Sequence, residues 1–574
     1  MAFARICLLL SALGLAGPAL ARAAASGAGA TATSPVATAT SSATTATSSA
    51  RAATSSARAA SASAGVATGA APAEASRRAP TDTVAVLDAA GRSLLDTHVS
   101  AAQGGWAWRS VIQAPHLQTD RDVGAASVLN GLLALYQQSG EASYLDGARR
   151  AGDWLLAVAE TSGPGLRWAD WVDSSAGRSS VHYTSFDDGT PGIAEVLWRL
   201  GQVTGDPRYT QAAMAGMRWV AWRAQSVGSA ACPSAMCRWS WRDGTPGDYE
   251  TGLGEGQAGI VYAFLAFAQR TGQRAWLSYA RAGGAYLESL MGSDGAIPER
   301  AGAAGVDAGY LSGMAGQAYV FLALYRQTGE ARWLADARRA LGWLSAHAAH
   351  EGAGVAWPIE VDGAGGDGNS ARATGMEEGA AGIGWVELQA YAVTGDRASL
   401  ALARGAGDWL LAAGVGRGGG LSWPQDAGQS GAPTSLDNGA AGIGWFLADL
   451  GQATGEPGFA AGAAAAGRWL TSAAQTGSSG LQWPGRDGTI ALAGDSSWHW
   501  GSAGIAAFLG RLAGGVSDAP GEEPALRGAG PAPERVALDT SLRSRRARTG
   551  ALGARGALAS LPQRADAARL IQIS

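Results

Sequence analysis

One glycine phrase recurs along this chain, and it limits the fold more than any other feature. Asp188-Gly189-Thr190-Pro191-Gly192-Ile193 is followed by Glu255-Gly256-Gln257-Ala258-Gly259-Ile260 and by Ser312-Gly313-Met314-Ala315-Gly316. Then come Glu378-Gly379-Ala380-Ala381-Gly382-Ile383, Asn438-Gly439-Ala440-Ala441-Gly442-Ile443 and Trp500-Gly501-Ser502-Ala503-Gly504-Ile505. A degenerate earlier copy reads Arg121-Asp122-Val123-Gly124, with Arg in place of the first glycine. Seven copies, spaced by 68, 67, 57, 66, 60 and 62 residues in this register, mark a repeat architecture.

Each phrase opens an apolar stretch such as Ile260–Phe267, apolar nearly all round and therefore a buried helix. Each stretch ends at a Ser-Gly or Thr-Gly pair (Gly140, Gly205, Gly272, Gly329, Gly395, Gly455), the expected C-terminal stop. An amphipathic helix follows, as in Tyr144–Ala157 or Trp333–Ala346, and then a connection bearing tryptophan: Trp168, Trp357, Trp423, Trp483. Such hairpins bury all their inner faces only if the row closes or is capped. Seven near-equal units without a polar terminal cap predict an all-α fold, an (α/α)7 toroid of residues 81–514. Its inner helices run parallel, with their N-termini crowded by glycine into one mouth.

The rest of the chain divides by composition. Residues 1–23 read as a signal peptide, the alternative being an uncleaved N-terminal anchor: Arg5, the apolar stretch Ile6–Leu20, and small-residue cleavage sites at Ala19–Ala23. Removing it leaves no membrane span, and the mature protein is expected to be secreted or periplasmic. Residues 24–80, almost wholly Ala, Ser, Thr and Gly, read as a disordered linker, and 515–574 as a disordered tail. Cys7 leaves with the signal peptide, so Cys232 and Cys237 are expected to form one disulfide in an oxidising compartment, the alternative being two free thiols. A net charge of −4 gives no reason to expect a nucleic-acid partner. The chain has no lysine, which excludes Schiff-base lysine chemistry and the lysine of a P-loop.

The seven helices opened by Gly-x-x-Gly resemble the lanthionine synthetase C-like (LanC-like) family over residues 82–513, and six-hairpin glycosidase-like toroids share the architecture. The resemblance implies peptide modification: in the family's cyclases, zinc activates a substrate thiol for attack on a dehydrated residue. The zinc ligands there are a cysteine in the fifth repeat and a Cys-His pair in the sixth. This sequence has Glu377 at the first position and Asp437 and Asn438 at the other two. Oxygen and amide groups replace thiolates and imidazole, so no zinc and no other cofactor is expected, although an oxygen cluster also suits Ca²⁺.

The two positions before each first glycine map the mouth: Asp187-Asp188, Gly254-Glu255, Leu311-Ser312, Glu377-Glu378, Asp437-Asn438 and His499-Trp500. Carboxylates crowded about one opening suit general acid–base work, since like charges raise one another's pKa. Glu377, Glu378, Asp437, Glu255 and His499 are the catalytic candidates. Asp187, Asp188, Asn438 and the tryptophans Trp357, Trp423, Trp483 and Trp500 are the binding candidates. Helix capping competes as the explanation of Asp188, Ser312 and Asn438. Packing competes for the tryptophans, and His347 with His350 forms at most half a metal site. Three functions stay open: peptide modification or binding without the zinc site, a carbohydrate-active enzyme using mouth carboxylates, and a non-catalytic ring for glycan or peptide.

Overall fold

The computed structural model describes residues 77–78, 83–109, 116–173, 177–361, 368–477, 480–483 and 495–514. The signal peptide, nearly all of the linker and the tail lie outside these residues. Among the described residues fourteen α-helices alternate between two layers. The inner layer is α2 (Ala125–Ser139), α4 (Thr190–Thr204), α6 (Gln257–Thr271), α8 (Met314–Thr328), α10 (Ala380–Thr394), α12 (Ala440–Thr454) and α14 (Ser502–Leu512). The outer layer is α1 (Thr83–Asp96), α3 (Ala142–Val158), α5 (Pro207–Trp222), α7 (Arg274–Leu290), α9 (Ala331–Ala346), α11 (Arg397–Ala413) and α13 (Pro457–Ala473). Each inner helix packs on the next, and α14 packs back on α2, so the ring closes. At that seam the two helices nearly touch: a Cβ on Gly131 would lie 2.3 Å from the Ala503 Cβ.

The seventh hairpin is not continuous in sequence. α14 has no following outer helix among the described residues, and α1, from before the first repeat, packs against it instead. Arg77 and Arg78, at the end of the segment read as linker, pair antiparallel with Thr476 and Gln475. Residues before the first glycine motif therefore complete the last repeat.

The inner helices are buried nearly all round, as in α6 from Gln257 to Ala268, whereas the outer helices bury one face. Six inner helices end on a glycine with φ between 67° and 73°, a left-handed conformation that favours glycine (Gly140, Gly205, Gly272, Gly329, Gly395, Gly455). The tryptophan connections are short β-ribbons rather than plain loops, such as Val415–Arg417 with Gly420–Ser422.

The glycine phrase has a steric cause. The first glycine is the N-cap of its helix, in an extended conformation and without any side-chain cap. A Cβ on the second glycine would sit 1.8–2.1 Å from the carbonyl oxygen of the residue six positions earlier (Phe186, Leu253, Tyr310, Met376, Leu436, Trp498). This geometry corrects the register of the first copy. Gly124 is the N-cap of α2 and hence the equivalent of the first glycine, and Ser127 takes the place of the second.

Candidate functional site at the ring mouth

The loops before the inner helices join into a girdle. The carbonyl two residues before each N-cap glycine accepts backbone N–H groups from the preceding repeat's loop, at 2.5–3.2 Å. The carbonyls are those of Asp187, Gly254, Leu311, Glu377, Asp437 and His499. The seam between copies seven and one is closed differently. The Trp498 N–H donates to Ser127 Oγ at 2.7 Å, and that hydroxyl donates to the Asp122 carbonyl at 2.8 Å. Ser127→Ala is expected to cost about 1–3 kcal/mol, because it leaves a buried donor unpaired. Urea unfolding measures it, and an unchanged midpoint would count against the bridge.

The girdle sets the side chains two places before each glycine about the axis. Arg121 Nη1 donates to Asp187 Oδ1 at 2.8 Å and lies 3.2 Å from His499 Nε2. His499 Nδ1 meets Asp437 Oδ1 at 2.8 Å, and its Nε2 lies 3.8 Å from Asp187 Oδ1. All four residues are buried. Burial alone would push His499 down, but the carboxylates of Asp437 and Asp187 outweigh it and raise the imidazole to about 9. Two cations and two carboxylates, drawn from copies one, two, six and seven, thus balance beneath the opening.

A rim of carboxylates surrounds this network. Asp122 Oδ1 accepts from Trp500 Nε1 at 3.0 Å, and Asp188 Oδ2 from Trp241 Nε1 at 3.0 Å. Glu377 Oε2 accepts from Asn438 Nδ2 at 2.7 Å. Each of these residues except Asn438 is half-buried overall, but the carboxyls themselves are recessed. Burial first, and neighbouring acids second, push all three well above the usual carboxylate range. The neighbours are Glu255, Asp122 and Asp120 for Asp188, and Glu378, Asp437 and Asp122 for Glu377. Asp122 therefore links both sides of the rim. It also brings a donor atom within 4.8 Å of donors on Asp437 and His499.

Below the rim lies an axial cavity of about 40 Å³, room for a few waters. Its polar edge is Arg121, Asp187, Asp437 and His499, and the rest is apolar, including Phe186, Leu253, Tyr310, Met376 and Leu436. Tyr262, Tyr319 and Trp385 of successive inner helices contact one another at centroid distances of 5.4–6.0 Å.

Several sequence expectations change. Asp188, Ser312 and Asn438 do not cap helices, because glycine holds each N-cap position. Trp357, Trp423 and Trp483 are buried. Their indole N–H groups donate to Leu344, Leu410 and Leu470 at the ends of outer helices, at 2.7–2.8 Å. Trp168 and Trp239 do the same. His347 is tied to the Trp343 carbonyl at 2.9 Å, away from the mouth. Arg121, Asp122 and Trp241 were missed. Setting Gly124 in register with Gly189 puts Asp122 directly in the rim series; Trp241 has no such signal. Cys232 and Cys237 are joined as a disulfide, with Cα atoms 5.8 Å apart.

Among the described residues no helix is long and apolar enough to cross a membrane. No curated protein matches the chain in sequence. Similar solved structures include nisin cyclase, at 12% identity over 70% of this chain and 94% of that one, with TM-score 0.46. Cellobiose 2-epimerase from Bacillus thermoamylovorans B4167 is 13% identical over 60% of this chain and 92% of that one, with TM-score 0.40. A GH76 alpha-mannanase from Bacteroides thetaiotaomicron is 12% identical over 61% of this chain and 88% of that one, with TM-score 0.39. Residues 247–523, which hold the third to seventh glycine motifs, match the model of the lanthionine synthetase C-like protein family. On that match residues 247–523, just under half of the chain, are similar to the lanthionine synthetase C-like family.

Proposed function

We propose that this chain is an exported ring that receives an extended peptide at its mouth and acts on it by proton transfer, without thiolate-bound zinc. The observation that carries the reading is the axial cavity, mostly apolar and polar along one edge. An apolar floor suits a hydrophobic side chain better than a sugar ring, whose hydroxyls need partners. In this reading the His499–Asp437 pair holds a proton beside the cavity, and Glu377, pushed up by burial and by Glu378, supplies or accepts one at the rim.

The donor set does not fit the family's zinc. Glu377 and Asn438 are hydrogen-bonded to each other at 2.7 Å rather than set to converge on an ion, and no sulfur stands at any of the three positions. Arg121, beside His499 Nε2, already places a fixed positive charge at the centre. The Cys232–Cys237 disulfide supports export, since such bonds persist in oxidising compartments.

A second reading, acid–base glycan cleavage, draws on the raised carboxyl of Glu377 and the half-buried indoles of Trp241 and Trp500 at the rim. One experiment separates the two: the mature protein is incubated with mixed peptides and with mixed oligosaccharides, and products are read by mass. Glu377→Gln is expected to lower peptide turnover by about a hundredfold or more with little change in binding. Turnover of sugars alone would select the second reading. No turnover of either, with binding unchanged in the variant, would leave a ring that only binds.

A further inference from the structure

The outer wall carries a groove that the mouth chemistry does not use. Residues of α4 and α5 line it (Trp198, Gln202, Thr210, Gln211, Met214 and Arg218), and its volume is about 280 Å³. That is close to the lower end of the ~300–1,000 Å³ usual for small-ligand sites, and suits one sugar ring. Trp198 is half-buried and meets the Phe267 ring edge to face at 5.5 Å, so packing fixes the indole while part of it faces the groove. Gln202 and Gln211 are exposed, and among the described residues neither side-chain amide meets a protein partner. No carboxylate lines the groove. Arg218 Nε donates to the Pro164 carbonyl at 3.4 Å, and among the described residues no acid pairs with its guanidinium.

The surface continues along α5. Gln211, Met214, Arg218 and Trp222 are spaced by 3, 4 and 4 residues and form one stripe of the helix. Trp222 stands about 6 Å beyond Arg218 along the axis. It is 51% exposed, and among the described residues the other large apolar side chains so exposed are Val84 and Val415, neither of them aromatic. An ideal Cβ on Gly163 would lie 2.9 Å from the Trp222 ring, so the turn that receives Arg218 at Pro164 also backs this indole. An indole held rigid before binding loses little freedom on contact.

We propose that this strip of the outer wall, apart from the mouth, is a binding site for an acidic oligosaccharide. A sugar ring has an apolar face of C–H groups, which suits an indole, and a rim of hydroxyls that both donate and accept, which suits amides. One ring enters the groove against Trp198, with its hydroxyls on Gln202 and Gln211. A uronate carboxylate lies on Arg218, whose guanidinium can grip it with two parallel bonds. A further ring of the same chain stacks on Trp222. The site does not depend on what the mouth receives.

The test titrates the full chain by calorimetry with three uronate hexasaccharides, from polygalacturonate, polymannuronate and hyaluronan, and with the carboxyl-reduced form of each. At least one acidic hexamer is expected to bind, and its reduced form about tenfold more weakly. Arg218→Gln should weaken the acidic hexamer about tenfold and leave the reduced form unchanged. Trp222→Ala should weaken both forms about tenfold. Both substitutions are at the surface, and circular dichroism checks that each variant is folded. Binding of none of the three hexamers overturns the proposal, as does equal affinity for the acidic and reduced forms. Full affinity retained in both variants places the sugar elsewhere and also overturns it. A hexaglutamate peptide that binds more tightly than every sugar assigns the strip to acidic peptides instead.

Discussion

Gly442→Ala is expected to destabilise the ring by about 3 kcal/mol or more. The new Cβ would lie 1.8 Å from the Leu436 carbonyl oxygen and 2.7 Å from Met376 Cγ. The loop cannot easily retreat, because the Leu436 and Asp437 N–H groups are held by the His499 carbonyl at 3.1 and 3.2 Å. Moving Leu436 would also disturb the Asp437 carboxylate that holds His499. The control is another glycine. Gly342 lies in α9 with nothing within 4 Å of its ideal Cβ, so Gly342→Ala should stabilise by about 0.5–1 kcal/mol through helix propensity. Urea unfolding of both variants gives the comparison. Similar midpoints for the two would remove the steric explanation of the motif.

His499→Gln is expected to cost about 3 kcal/mol near neutral pH, with the deficit shrinking as pH rises. The imidazole is raised to about 9 from its ordinary 6.5 by Asp437 and Asp187, against the opposing effect of burial. A group raised on folding contributes stability that is complete below its unfolded value and is lost as pH rises through its folded value. The contribution should therefore be full below about pH 6.5 and gone above about 9. The same sign follows from the structure: deprotonating His499 removes positive charge from between two buried carboxylates. Added salt should change this little, since the network is enclosed. Unfolding free energies of the native chain and the variant at several pH values between about 6 and 10 test it. A gap that stays constant over that range would be falsifying, because it would mean that His499 is neutral in the folded protein.

The repeat was legible because its causes are local in sequence. A helix stop that needs a positive φ demands glycine at Gly272 whatever surrounds it, and a buried inner helix must be apolar all round. The second glycine recurs because the carbonyl it must clear belongs to its own loop, six residues earlier. The tryptophans were visible too, but not their role. Whether Trp423 stacks on a ligand or pins the Leu410 carbonyl depends on where its indole points, which composition and spacing leave open.

The site was legible only as a set of positions. Reading the residues before each glycine found Asp187, Asp437 and His499, because the girdle places those positions alike in every repeat. It missed Asp122 and Arg121, because the first copy has serine where the others have glycine and its register slipped by three.

By itself, the sequence determined a closed ring of seven helical hairpins with acids at its mouth, since periodicity, caps and glycine sterics act within each repeat. Only the tertiary structure decided which helix completes the seventh hairpin, that Ser127 bridges the seam, and that Arg121, Asp187, Asp437 and His499 neutralise one another beneath the rim. Those pairings join residues up to 378 positions apart, brought together by closure of the ring, and no local pattern encodes them.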